Sequence, residues 1–91
     1  MHLSNIYKAE KGLLRINFDI DEGKIISNMM VTGDFFLIPE TKIILLERDL
    51  NGKRFEKDAI EDAIGRFYTT GVLTPSVTKD DFINAIMGAK P

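Results

Sequence analysis

The sequence predicts an α+β fold: a small antiparallel sheet built on a β-hairpin, with two to three helices packed on one face. Three observations carry this. Apolar and polar residues alternate through residues 11–21, which is the period of a half-buried strand. Helical spacing replaces alternation in the second half, most clearly over residues 56–68. Strand-like segments come first and helix-like segments follow, an order that segregates the helices to one side of the sheet.

In the first strand Leu14, Ile16, Phe18 and Ile20 point one way, and Arg15, Asn17, Asp19 and Asp21 the other. Glu22-Gly23 offers a turn with a residue free to take positive φ, and residues 24–32 resume as the second arm of a hairpin ending at Gly33. The phase of that arm is ambiguous. Ile26 and Met30 share one face with Asn28, whereas Ile25, Met29 and Val31 share the other with Ser27, so both faces are candidates for cover. Two strands alone are marginal, and residues around Tyr7 are expected to add a short edge strand before Gly12.

Pro39 is placed to open a helix at its first position, with Glu40 at the positive end of the dipole and Gly52 as stop signal. Ile43, Leu46 and Leu50 then share a face. The run Ile43-Ile44-Leu45-Leu46 also suits a buried strand; the flanking signals favour helix. Over residues 56–68, Ala59, Ile60, Ala63, Ile64, Phe67 and Tyr68 form one stripe, with Lys57/Glu61 and Asp62/Arg66 as outer charge pairs. Gly65 inside this helix suggests close packing over it, and Gly71 can end it. Thr78 with Asp81 resembles a capping box, and Phe82, Ile83, Ile86 and Met87 supply the inward face of a last helix before Gly88.

At 91 residues, with 44% hydrophobic and 29% charged residues, the chain is expected to form a single domain over 1–91. A net charge of -2 provides no long-range attraction for phosphate backbones or anionic lipid, so neither nucleic acid nor membrane is an expected partner. No apolar stretch reaches the roughly 18 residues that span a bilayer. Zero cysteines exclude disulfides, thiolate catalysis and cysteine-type metal sites, and fit a cytoplasmic protein.

His2 is the only histidine, is expected to be mobile beside the terminus, and cannot build a multi-histidine metal site. The carboxylate pairs Asp19/Asp21, Asp58/Asp62 and Asp80/Asp81 fit solvated faces and helix starts better than acid/base machinery. No serine sits in a Gly-x-Ser-x-Gly turn, and no glycine-rich loop ends in Lys-Ser or Lys-Thr. No catalytic residue and no metal ligand is therefore assigned. Arg48, Lys53, Arg54 and Lys57 are interleaved with acids and read as surface. Phe35 and Phe36 stand apart. Adjacent rings in extended chain face opposite ways, so either one is free for a partner or the chain bends after Gly33 and tucks both into the core.

Lys8-Ala9-Glu10-Lys11-Gly12-Leu13-Leu14-Arg15, Glu22-Gly23-Lys24-Ile25 and Gly33-Asp34-Phe35-Phe36 together resemble the C-terminal accessory domain of bacterial-type lipoate-protein ligases, here as a separate chain. Leu50-Asn51-Gly52 matches the family's helix end. The likeness covers the first half to two-thirds of the chain. It implies an accessory subunit of a two-chain ligase. The larger catalytic subunit would hold ATP, Mg and lipoate, form lipoyl-adenylate, and pass the lipoyl group to a lysine of a lipoyl acceptor domain. On this resemblance Gly33, Asp34, Phe35 and Phe36 are the expected partner interface, and Lys8, Lys11 and Gly12 candidates to face the adenylate. The alternatives are a non-catalytic adaptor or scaffold that binds protein without influencing lipoate activation, and a small-molecule sensor.

Overall fold

The computed structural model describes all 91 residues, Met1–Pro91. Three strands, β1 (His2–Lys8), β2 (Leu13–Ile20) and β3 (Ile26–Asp34), pair antiparallel in the order β1-β2-β3. A 3-10 turn at Glu40–Lys42 leads into α1 (Ile43–Leu50), followed by α2 (Lys57–Tyr68) and α3 (Lys79–Met87). The helices cover one sheet face, and a 22-residue apolar cluster fills the space between the layers. The predicted α+β class and the helical reading of residues 43–46 both hold.

Period-two burial in β2 follows the sequence: Leu14, Ile16 and Phe18 are fully buried, and Arg15 is exposed. The phase problem in the next arm has a physical cause. Asn17 pairs with Met30 and Asp19 with Ser27, so β3 carries one extra residue opposite Phe18, and Asn28 takes a φ of 53° there. This bulge shifts the alternation by one residue. Ile26 faces inward before it, Met29 and Val31 after it. A single face is covered; Met30 on the other is 55% exposed.

Several expectations need correction. The edge strand is not short, because β1 begins at His2 and pairs with β2 along its whole length. The hairpin turn closes by a Lys24 N–H to Asp21 carbonyl bond of 2.9 Å, and Lys24, not Gly23, takes the positive φ of 62°. Pro39 precedes the 3-10 turn in extended conformation, so the α-helix proper starts four residues later, at Ile43. A Cβ on Gly65 would meet nothing within 4 Å, since the α2 stripe that packs is Ile60, Ala63, Ile64 and Phe67.

Both sheet edges are partly closed. Lys90 exchanges two backbone hydrogen bonds with Ser4 on the outer side of β1. On β3 the outward amides of Met29 and Val31 donate to Asn51 Oδ1 and Glu47 Oε2, each at 2.9 Å, so the end of α1 caps the edge. The capping box of α3 forms in both directions between Thr78 and Asp81. Asp62 pairs with Arg66 at 3.1 Å and Arg66 also reaches Asp49, tying α2 to α1; Lys57 and Glu61 do not pair.

His2 is held in β1. Its Nδ1 lies 2.9 Å from Asp19 Oδ1 and its Nε2 3.2 Å from Asn17 Oδ1, while Asn28 Nδ2 donates to the second Asp19 oxygen at 2.9 Å. The three strands are thus clipped together beside the bulge. Hydrogen bonds to Asp19 and Asn17 raise the imidazole above its ordinary range, and those from Asn28 and His2 lower the Asp19 carboxyl. A raised folded-state pKa means the contribution of His2 is complete below about 6.5, the unfolded value, and is lost as pH rises through the folded value. The expected result is a His2 ring titration centred above 6.5 by NMR that moves down toward the ordinary midpoint in Asp19→Asn; an unshifted wild-type midpoint would contradict it.

Candidate functional site

The residues singled out by sequence gather at the end of the sheet opposite His2. Strand pairing sets Lys8 beside Leu13 and Leu13 beside Asp34. These three form one row on the face that no helix covers. The turn from β1 to β2 is closed by the Ala9 N–H to Gly12 carbonyl bond of 2.9 Å. Gly12 is buried against the exit of β3: a Cβ there would lie 3.1 Å from the Asp34 carbonyl oxygen, 3.2 Å from Val77 Cγ1 and 3.4 Å from Phe35 Cβ.

Gly33 is where β2 and β3 approach too closely for a side chain. Its φ is +139°, and a Cβ would fall 2.1 Å from the Leu13 carbonyl oxygen. Beyond it burial alternates: Phe35 is half-buried, Phe36 exposed, Leu37 buried and Ile38 exposed. The Phe35 ring meets Phe82 edge-on at 5.8 Å, whereas Phe36 is 69% exposed. Opposite facing of adjacent rings therefore decides between the two sequence readings, and one ring is left outside.

A loop from the end of α2 to the start of α3 borders this exit. Ser76 Oγ accepts the Phe36 N–H at 3.0 Å. Tyr68 and Thr74 hydroxyls lie 2.7 Å apart, and Thr74 donates to the Val77 carbonyl. Burial pushes the Tyr68 hydroxyl above the ordinary phenol range, partly offset by its bond to Thr74. Lys79 Nζ sits 5.4 Å from the Tyr68 ring centre. Tyr7 donates to Asp81 at 3.0 Å, joining β1 to α3. Lys11 is exposed in the turn and lines a cleft of about 330 Å³ with Glu10, residues 74–78 and Asp81.

Gly12, Gly33, Asp34 and Phe36 thus come together with Lys8 and Lys11 on one end of the molecule, while the Phe35 ring turns inward. The sequence reading passes over Ser76, Ile38 and Leu73. Their signal was an absence of charge across residues 35–39 and 69–78 in a chain that is 29% charged. Chemically the region offers exposed apolar and charged side chains around a closely packed strand exit. No group of three His, Asp or Glu side chains converges in the structure. Of the paired carboxylates, four are occupied structurally: Asp19 by His2 and Asn28, Asp21 by the Ile25 amide, Asp62 by Arg66, and Asp81 by Tyr7 and the α3 cap. No helix is long and apolar enough to cross a membrane.

The family model described as bacterial lipoate protein ligase C-terminus matches residues 1–86. The match therefore runs through the loop and most of α3, beyond the first two-thirds that the sequence motifs cover. Lipoate-protein ligase A subunit 2 of Thermoplasma acidophilum is 46% identical over 88 residues, which are 94% of this chain and 90% of that one. A solved chain from the same organism's archaeal lipoylation system, described as a bi-partite lipoate protein ligase and its E2 lipoyl domain, superposes with a TM-score of 0.87. It is 45% identical and covers 94% of each chain. With the family model matched over residues 1–86 and a 46% identical relative aligned over 94% of the chain, this chain belongs to the family of the bacterial lipoate protein ligase C-terminus.

Proposed function

We propose that this chain, acting over 1–91 as one accessory domain, is the small subunit of a two-chain lipoate-protein ligase. The larger catalytic subunit holds ATP, Mg and lipoate. There the lipoate carboxylate attacks the α-phosphorus of ATP and pyrophosphate leaves; a lysine amine of a lipoyl acceptor domain then attacks the acyl carbon of the lipoyl-adenylate, forming the amide and releasing AMP and a proton. The small chain is required for the first of these steps and has no catalytic residue of its own. One observation carries this reading: the chain matches, nearly end to end, a relative that is itself a separate ligase subunit.

The chemistry of the surface supports the same division of labour. The chain contributes shape: an accessory domain seated over a neighbour's cleft excludes water and fixes mobile loops around the adenylate. Gly33 and Asp34 at the exit of β3, with Phe36 as an apolar anchor and Phe35 holding the segment to the core, form the partner side. Lys8, Lys11 and Gly12 lie on the flank assigned to the adenylate. Because ATP is consumed, we place the pair in the cytoplasm.

The test is pyrophosphate release with lipoate and ATP. Neither subunit alone should activate lipoate efficiently, and mixing should restore it. Acceptor modification from preformed lipoyl-adenylate should depend far less on the small chain, since that acyl group is already activated. If the large subunit alone matches the mixture, the accessory role fails and a protein-binding adaptor is the better description.

A further inference from the structure

Two segments without a single charged residue, 35–39 and 69–78, run side by side on the surface. Ile38 and Leu73 exchange both backbone hydrogen bonds, each 2.9 Å long, which puts their side chains next to each other on one face. Phe36, two residues earlier, shares the side of Ile38, opposite Phe35 and Leu37. Phe36, Ile38 and Leu73 are 69%, 52% and 63% exposed.

Four consecutive apolar residues in extended chain are the pattern of a strand covered on both faces. Here the chain's own core covers one face only. Depletion of charge around an aromatic and aliphatic centre is also the composition of an interface core. The uncovered sheet face differs: Ile6 and Met30 are exposed there, but Lys8, Arg15, Asn17 and Asp34 lie among them.

We propose that Phe36, Ile38 and Leu73 form the central apolar strip that docks the catalytic subunit. This rests on the two-chain reading above and adds to it the face that is used. A stable interface needs about 800 Å² from each partner, or roughly 15% of the 5451 Å² that this chain exposes. The three side chains supply its centre. The groove beside Phe36, about 380 Å³ and lined by Thr32, Gly33, Glu40 and Thr41 among others, extends the same surface without interruption to the exit of β3.

Calorimetric titration of the purified catalytic subunit tests the strip. The double variant Ile38→Asp/Leu73→Asp should bind at least about 100-fold more weakly than wild type, because each carboxylate would be buried without a partner. The milder Phe36→Ser, at a ring that is 69% exposed, should weaken binding about tenfold with an unchanged thermal midpoint. Ile6→Thr/Met30→Thr on the open sheet face should bind as wild type does. Pyrophosphate release should fall with the strip variants and recover when they are in large excess. Wild-type-like binding by both strip variants, or loss of binding confined to the sheet-face variant, would overturn the strip while leaving the two-chain reading intact. Failure of the wild-type chain to bind would overturn both.

Discussion

Gly33→Ala is expected to destabilise the chain by about 3 kcal/mol or more, out of the roughly 5–14 kcal/mol available to a domain of this length. Two penalties act at once. The φ of +139° lies where an L side chain is strained, and the added Cβ would stand 2.1 Å from the Leu13 carbonyl oxygen, with Leu14 Cα at 3.2 Å. Relief requires β2 and β3 to separate at the Leu14–Gly33 pair, next to the row that carries Leu13 and Asp34. Gly52 and Gly71 also have positive φ but nothing within 4 Å, so only the conformational part of the cost exists there. Urea unfolding of the variant measures the effect; a loss below about 1 kcal/mol would mean that the strand pair yields without cost.

The order strands-then-helices, the β2 alternation, the α2 stripe and the Thr78–Asp81 cap were legible in the sequence because each depends on residues near one another in the chain. What failed depended on distant contacts. The β3 phase could not be read because the bulge at Asn28 exists only relative to Phe18 on the neighbouring strand. Gly65 looked like a packing glycine, but whether a helix crosses it is a tertiary fact, and none does. His2 looked like a loose terminus until the Asp19 and Asn17 side chains on β2 were placed beside it.

The candidate surface shows the same boundary. Gly33, Asp34 and Phe36 were visible as a motif, and the opposition of Phe35 and Phe36 follows from local geometry alone. Ile38 and Leu73 were invisible as a pair because 35 positions separate them and only the bridge between the two segments unites them. Uncharged composition was present in both segments, but it gains meaning only once they are adjacent. A stripe inside one element can be read from its period. A surface assembled from two loops cannot.

Phe82→Ala is the second substitution with a large expected effect, about 3–5 kcal/mol by loss of a buried aromatic and creation of a cavity. The ring is fully buried and is the common wall of the site's supports: Phe35 meets it edge-on at 5.8 Å and Tyr68 at 6.4 Å. Removing it costs more than its own contacts, since Phe35 anchors the residues after Gly33 and Tyr68 anchors the loop through Thr74. Hydrogen exchange should therefore accelerate at the Phe36 amide, which is tied to Ser76, and at the Ile38 and Leu73 amides, more than at the buried centre of β2. Uniform acceleration across the sheet would mean that Phe82 stabilises the domain as a whole and holds no special place behind the proposed docking surface. Acceleration confined to these two segments would make Phe82 the residue through which α3 keeps that surface in shape.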